Sequence, residues 1–226
     1  MPAASSAPAR TAVWIDTDAA CGSGPVNDVD DCWALAMALA SKRLAGRGVS
    51  TVFGNADLTT TDRTTRRIVR LFGGSVPPQV FEGAGRANGG LSSPAVAALQ
   101  RALMKERLTV IALGPLTNIS TLLKARPALA SRIVRLIAVM GRRPDQIFQL
   151  SANPLIHLHD LNLRKDAAAV QRVLAAGARV TLVPFEVTTK VTDAAPELDR
   201  LGRGGAASAS LASDSRAWLA MGSTSV

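Results

Sequence analysis

The sequence predicts an α/β fold: an open, mostly parallel sheet with helices on both faces. Three observations predict it. Short apolar runs alternate with longer amphipathic stretches along the chain. The apolar runs read as buried strands, as strands covered on both faces do. Apolar residues make up 47% of the 226 residues, enough for a sizeable core in one domain.

The elements follow in order. Residues 1–11 are small and proline-rich and read as a disordered lead-in to a domain over 12–226. "TAVWID" is a short buried strand. "DVDDCWALAMALAS" has apolar residues at helical spacing, with acids in the first turn, where the helix dipole favours them. "GVSTVFGN" is a second strand, ending in a Gly-Asn turn, and "TTTDRTTRRIVRLFGG" is an amphipathic helix closed by glycine. "PPQVFEG" is a short strand, and "SPAVAALQRALMKE" a helix opened by Ser-Pro. "RLTVIALG" is a strand, and "PLTNISTLLKARP" a helix stopped by proline. "RIVRLIAVMG" is a strand, "RKDAAAVQRVLAAG" one helix and "ARVTLVPFEV" a strand. "GRGGAASASLAS" reads as a loop or linker, and "DSRAWLAMG" as the start of a last helix. In such sheets ligands bind beyond the carboxyl ends of the strands. That rule gathers Asp16, Asp18, Asn55, the "LGPLTN" turn and "MGRR" on one rim.

Composition narrows the function. Net charge is +9, which permits a nucleic-acid partner, but the arginines are scattered and there is no tyrosine. Basic groups interleaved with stacking aromatics are absent, so no nucleic acid is expected and the charge reads as a solvated surface. No apolar run reaches the ~18–20 residues of a membrane span. The N-terminus has no apolar core of a secretory signal. Cys21 and Cys32 form neither a disulfide framework nor a CxxC pair, so they read as free buried thiols in a reduced cytoplasm.

The unusual feature is acidic. Asp16 and Asp18, two apart, leave the first strand on the same side. Asp30 and Asp31 open the following helix, and Asp28 is a fifth acid close by. Clustered carboxylates stay ionised only if a cation or a shared proton offsets their charge. Ca²⁺, which takes 6–8 oxygen ligands, is the simplest answer. The alternative is that Asp30 and Asp31 only cap the helix, with Asp16 exposed.

Four blocks carry a resemblance. "DTD…DVDDCWAL" is similar to the aspartate signature DxDPGxDDxxAL of the nucleoside hydrolases. "GNADLTTTDRTTR", "LTVIALGPLTNIS" and "HDLNLRKDAAAV" resemble three further blocks of that family in the same order, covering about residues 12–192. The resemblance implies a Rossmann-like sheet and Ca²⁺-dependent hydrolysis of ribonucleosides to ribose and free base, with a part in purine and pyrimidine salvage. By position, Asp18 matches the general base, which also touches the metal. Asp31 and the Leu113 backbone carbonyl match Ca²⁺ ligands. Asp30, Asn55, Asp160 and Asn162 match sugar-binding positions, and Asp16 a supporting acid. From the residues alone, Asn55 reads rather as a turn residue and Asn162 rather as a cap. A small nucleoside is the expected partner, and a homo-oligomer is compatible with the reading.

The chain departs from the pattern in four places. The loop over residues 19–29 is longer than the family's. "VMGRRPDQ" stands where MGG is common, adding two cations near the entrance. Asp160 replaces a glutamate. Nothing after Val191 resembles the family's C-terminal segment, whose aspartate completes the Ca²⁺ shell, so the chain reads as C-terminally truncated and a poor catalyst. His157 and His159 read as loop or structural residues rather than leaving-group acids. A Ca²⁺-dependent nucleoside-binding remnant without turnover is the alternative function.

Overall fold

The computed structural model describes residues 9–24, 27–89, 93–145, 160–191 and 195–220. Six strands form one sheet: β1 (Thr11–Thr17), β2 (Leu44–Thr51), β3 (Val80–Phe81), β4 (Leu108–Ala112), β5 (Ile133–Val139) and β6 (Val180–Val183). Their order is β3-β2-β1-β4-β5-β6, and every pairing is parallel. The chain winds outward from β1 in one direction, then restarts at β4 in the other. This reversal opens a crevice between the carboxyl ends of β1 and β4, where such sheets bind ligands.

The helices are α1 (Asp30–Ala40), α2 (Leu58–Phe72), α3 (Pro94–Lys105), α4 (Thr117–Ala125), α5 (Leu161–Lys165), α6 (Ala167–Ala175), α7 (Phe185–Thr188), α8 (Ala195–Gly202) and α9 (Ala206–Leu219). Two apolar clusters show that both faces of the sheet are covered. One joins Trp14, Val110 and Leu136 to Leu99, Ile119 and Val173 of α3, α4 and α6. The other joins Ile15 and Val49 to Leu35, Ile68, Leu211 and Trp218 of α1, α2 and α9. Adjacent residues Trp14 and Ile15 serve opposite faces, as the two-residue period of a strand requires. Trp14 stacks on Phe81 at 5.6 Å, and its indole N–H donates to Ser50 Oγ at 2.8 Å.

Local chemistry explains the helix starts. Asp57 accepts from the Thr60 N–H at 2.8 Å, and Ser93 caps α3 through the Val96 N–H with Pro94 at the first position.

Three expectations are corrected. The stretch read as one helix from Arg164 is broken at Asp166, which is buried and caps α6 by accepting from the Ala169 N–H at 3.0 Å. A residue holding that cap cannot also continue the preceding helix. The stretch read as a linker is mostly α9: only the glycine-rich turn at 203–205 lacks helix, and Ala206 onward is helical. Alanine favours helix, and burial of Leu211, Ala212, Ser215 and Trp218 selects that state over a loop. Trp33 Nε1 donates to Ser215 Oγ at 2.9 Å, joining α1 to α9.

The third correction concerns the cysteines. Cys21 and Cys32 are not free thiols but a disulfide, with Cα atoms 6.3 Å apart. The loop after β1 folds back over the start of α1, so residues eleven apart in sequence meet. The cysteine argument for a reducing compartment falls with it. His157 and His159 lie outside the described residues, as do residues 1–8 of the lead-in read over 1–11, and Thr11 already belongs to β1.

Candidate active site

The strand ends set the site. β1 delivers three side chains beneath and into the crevice. Asp16 is fully buried, not exposed. Its Oδ1 accepts from Ser50 Oγ and from Asn118 Nδ2, the latter at 2.8 Å, while Oδ2 is buried without a hydrogen-bond partner among the described residues. Burial pushes its carboxyl up to about 6, against the lowering effect of those two donors. Thr17 Oγ1 donates to the Asp31 carboxylate, and the Asp18 N–H donates to Asp31 Oδ1 at 3.2 Å. Asp31 therefore faces β1 rather than capping its own helix. The residue before α1, Val29, gives no side-chain cap, and Asp30 Oδ1 accepts the Asp31 N–H at 2.9 Å.

Asp18 sits in a tight cradle. The Asn55 N–H donates to its Oδ2 at 2.7 Å. A Cβ on Gly114 would lie 2.5 Å from its Oδ1, and one on Gly54 would overlap its Oδ2. Both positions thus require glycine for close approach. Burial is the main force raising the Asp18 carboxyl to about 7, and the nearby charges of Asp30 and Asp16 add to it.

A cavity of about 110 Å³ opens above these groups. Asp18, Asp30, Asp31, Asn55, Asp160 and Asn162 all line it, beside Asp28, Met140, Phe185 and Thr188. The structure thus brings together six of the eight residues singled out from sequence. The other two lie just behind. Asp16 is buried, and Leu113 is not among the lining residues. The Leu113 carbonyl accepts from Asn162 Nδ2 at 2.5 Å, and the same amide donates to the Val139 carbonyl at 2.9 Å. Asn162 thereby clasps the ends of β4 and β5. Asp160 also has structural duties: Oδ1 caps α5 through the Leu163 N–H at 2.7 Å, and Oδ2 accepts the Gly141 N–H at 2.5 Å.

Two residues were missed by sequence reasoning. Asp28 had no assigned role, yet its carboxylate groups with those of Asp30 and Asp31, their oxygens within 4.8 Å of one another. Asn55 Nδ2 donates to it, and burial together with the Asp30 charge raises its carboxyl well above the usual range. Asp31 is raised likewise, by burial first and then by the charges of Asp18 and Asp30. Asn118 was the other. It donates to Asp16 and to the Thr51 carbonyl at 3.0 Å, and its Oδ1 accepts the Ala84 N–H at 2.9 Å, tying β1, β2 and the loop after β3. Its signal was the last residue of "GPLTN".

Carboxylates this close hold their charge poorly, and their donors are all oxygen. That set suits a hard divalent cation. The disulfide removes both thiols as soft ligands, and no histidine lines the cavity among the described residues.

An acidic cavity of carboxylates and amides at the switch point of a 3-2-1-4-5-6 parallel sheet places the chain among the doubly wound α/β proteins that bind a ligand at their strand ends. The profile of the inosine-uridine preferring nucleoside hydrolases matches residues 13–221, and the chain belongs to that family. It is similar to the non-specific ribonucleoside hydrolase RihC of Klebsiella pneumoniae, 28% identical over 199 residues, which cover 76% of this chain and 63% of that protein. It is also similar to the pyrimidine-specific ribonucleoside hydrolase RihA of Salmonella newport, 26% identical over 191 residues covering 71% and 58%. The chain therefore spans about three fifths of the length of these curated relatives. Among solved structures, the purine-preferring ribonucleoside hydrolase from Gardnerella vaginalis superposes with a TM-score of 0.76 at 20% identity, over 93% of this chain and 72% of that one, which is a likeness of fold.

Proposed function

We propose that this chain hydrolyses the N-glycosidic bond of ribonucleosides, releasing ribose and free base, with Ca²⁺ in the acidic cavity. The observation that carries the reading is the convergence of Asp18, Asp28, Asp30 and Asp31 with Asn55, Asp160 and Asn162 in one cavity at the strand ends. Asp28, Asp30 and Asp31, with Asp18 beside them, are the side chains that would hold the cation. When bound, a divalent cation supplies positive charge that makes water more acidic and orients sugar hydroxyls.

The chain's own groups do the rest. Asp18, whose carboxylate is held at the strand end by the Asn55 N–H, takes a proton from the attacking water. The water oxygen bonds to the anomeric carbon as the carbon–nitrogen bond breaks, and the bond's electrons leave with the nucleobase, which takes its proton from solvent water while Asp18 returns its own to solvent. Positive charge develops on the sugar ring, and the surrounding carboxylates stabilise it. Asn55, Asp160 and Asn162 line the wall where ribose hydroxyls lie and fix the ring for attack. Met140 and Phe185 give an apolar side to the same cavity, suited to the face of a sugar or base. No helix among the described residues is long and apolar enough to cross a membrane.

The test is product analysis. Purified chain with Ca²⁺ is incubated with inosine, uridine, adenosine and cytidine, and ribose and free base are separated and quantified. Equal amounts of ribose and base from at least one nucleoside support the reading. Binding of nucleosides without any cleavage assigns the chain to the binding-remnant alternative instead.

A further inference from the structure

Beside the acidic cavity lies a second concavity of about 580 Å³, walled among the described residues by Gly141, Arg142, Arg143, Pro144, Arg164 and Asp160, with Leu163 and Ala167 behind them. The two concavities share Asp160. Its two oxygens hold the Gly141 N–H and the Leu163 N–H, so one side chain fixes the turn bearing Arg142 and Arg143 against the helix bearing Arg164. Three arginines are thereby placed in a concavity that adjoins the acidic cavity through Asp160. Arg143 pairs with Glu186 at 3.4 Å and remains 63% exposed.

We propose that this arginine concavity is a phosphate subsite, and that the site takes ribosides bearing a phosphate on the sugar. The proposal rests on the hydrolase reading. An uncompensated acidic cavity repels a phosphate dianion, and cations at its edge reverse that repulsion locally. Guanidinium groups match phosphate oxygens with paired donors. A ribose 5-phosphate unit has the required polarity: ring hydroxyls at one end for the carboxylate side, and a dianion at the other for the arginines.

The test compares uridine with uridine 5′-monophosphate, using calcium-loaded wild-type chain, Arg142→Ala/Arg143→Ala and Arg164→Ala. The expected result is a kcat/KM for the monophosphate that falls about tenfold or more in the arginine variants, while that for uridine is unchanged. The wild-type advantage should also shrink at about 0.5 M salt, as screening of exposed charges requires. Equal effects on both substrates, or none on either, overturn the subsite and leave the hydrolase reading standing. If neither substrate is cleaved, calorimetry decides with ribose, ribose 5-phosphate and inorganic phosphate. Tighter binding of ribose 5-phosphate than of ribose, lost in the double variant, supports the subsite. Equal affinity for the two, or binding of inorganic phosphate alone, overturns it.

Discussion

At the scale of single residues, Asp18 is held by geometry as much as by chemistry. Gly54 and Gly114 leave room for its two oxygens, so Gly114→Ala should displace the carboxylate without changing any ionisable group. The expected outcome is a loss of turnover of about 10²–10³-fold, of the size that follows removal of a positioned catalytic base, in a protein that still unfolds cooperatively. Steady-state kinetics beside a thermal melt check it, and retained kcat with an intact melt contradicts it. The period of β1 placed Asp16 and Asp18 on one side, but the residues alone left Asp30 and Asp31 as either site acids or helix caps, and the resemblance favoured the site. Asp28 was not legible in the sequence, because its direction depends on the fold of the 19–29 loop, which has no periodicity to read. Nor were the amide duties of Asn162 and Asn118, since their partners are backbone carbonyls and N–H groups brought close only by the sheet.

At the scale of elements, the loop between β1 and α1 is secured at two points. The Cys21–Cys32 disulfide closes it, and Arg67 of α2 donates to the Cys21 carbonyl at 3.0 Å while pairing with Asp214 of α9 at 2.5 Å. Closing a loop this short restrains the unfolded chain by about 3 kcal/mol. Cys21→Ala/Cys32→Ala, or reduction under denaturant, should lower the unfolding free energy by roughly that amount, read from urea curves. An unchanged midpoint would show that the bridge is absent in solution. Asn162 makes a second elemental prediction. Asn162→Ala strips the donor from the Leu113 and Val139 carbonyls, and should cost about 1–3 kcal/mol of stability. A loss of ribose affinity beyond that of a mere loosening, measured at a temperature where the variant is fully folded, supports its proposed place against the sugar. α9 was hidden from sequence reading because Ala, Ser and Gly give no strong period, and burial by α1 and α2 decides its state.

At the scale of the whole molecule, strand order was legible in kind but not in detail. Alternating apolar and amphipathic segments foretold the two-faced sheet, whereas the outward winding from β1 is set by which connections pack, as for the register of β1 on β2 and β4. The acidic cluster also marks the stability of the whole chain. Asp16 and Asp18 titrate near 6 and 7 in the folded state, against an ordinary 3.8. Between these values the folded state binds more protons than the unfolded one, so stability falls as pH rises. The contribution is full below about 3.8 and is lost by the time pH passes about 7. Metal-free protein should therefore melt at lower temperature at pH 7.5 than at pH 5. Ca²⁺ should close that gap, because a bound cation replaces the protons. Melting curves at both pH values, with and without chelator, check this. A metal-free melt that rises with pH over the same range contradicts the buried-acid account.

The central claim is that the carboxylates at the end of β1 and the start of α1 form one cation-dependent hydrolytic site. Its most direct test is ribose release from inosine and uridine across a Ca²⁺ titration, by the wild-type chain and by Asp18→Asn. The account predicts release that rises with Ca²⁺ to saturation, vanishes with chelator, and drops by at least about 10²-fold in the variant. Release by folded protein that is indifferent to chelator or to Asp18→Asn, or no release from either nucleoside at saturating Ca²⁺, would contradict it.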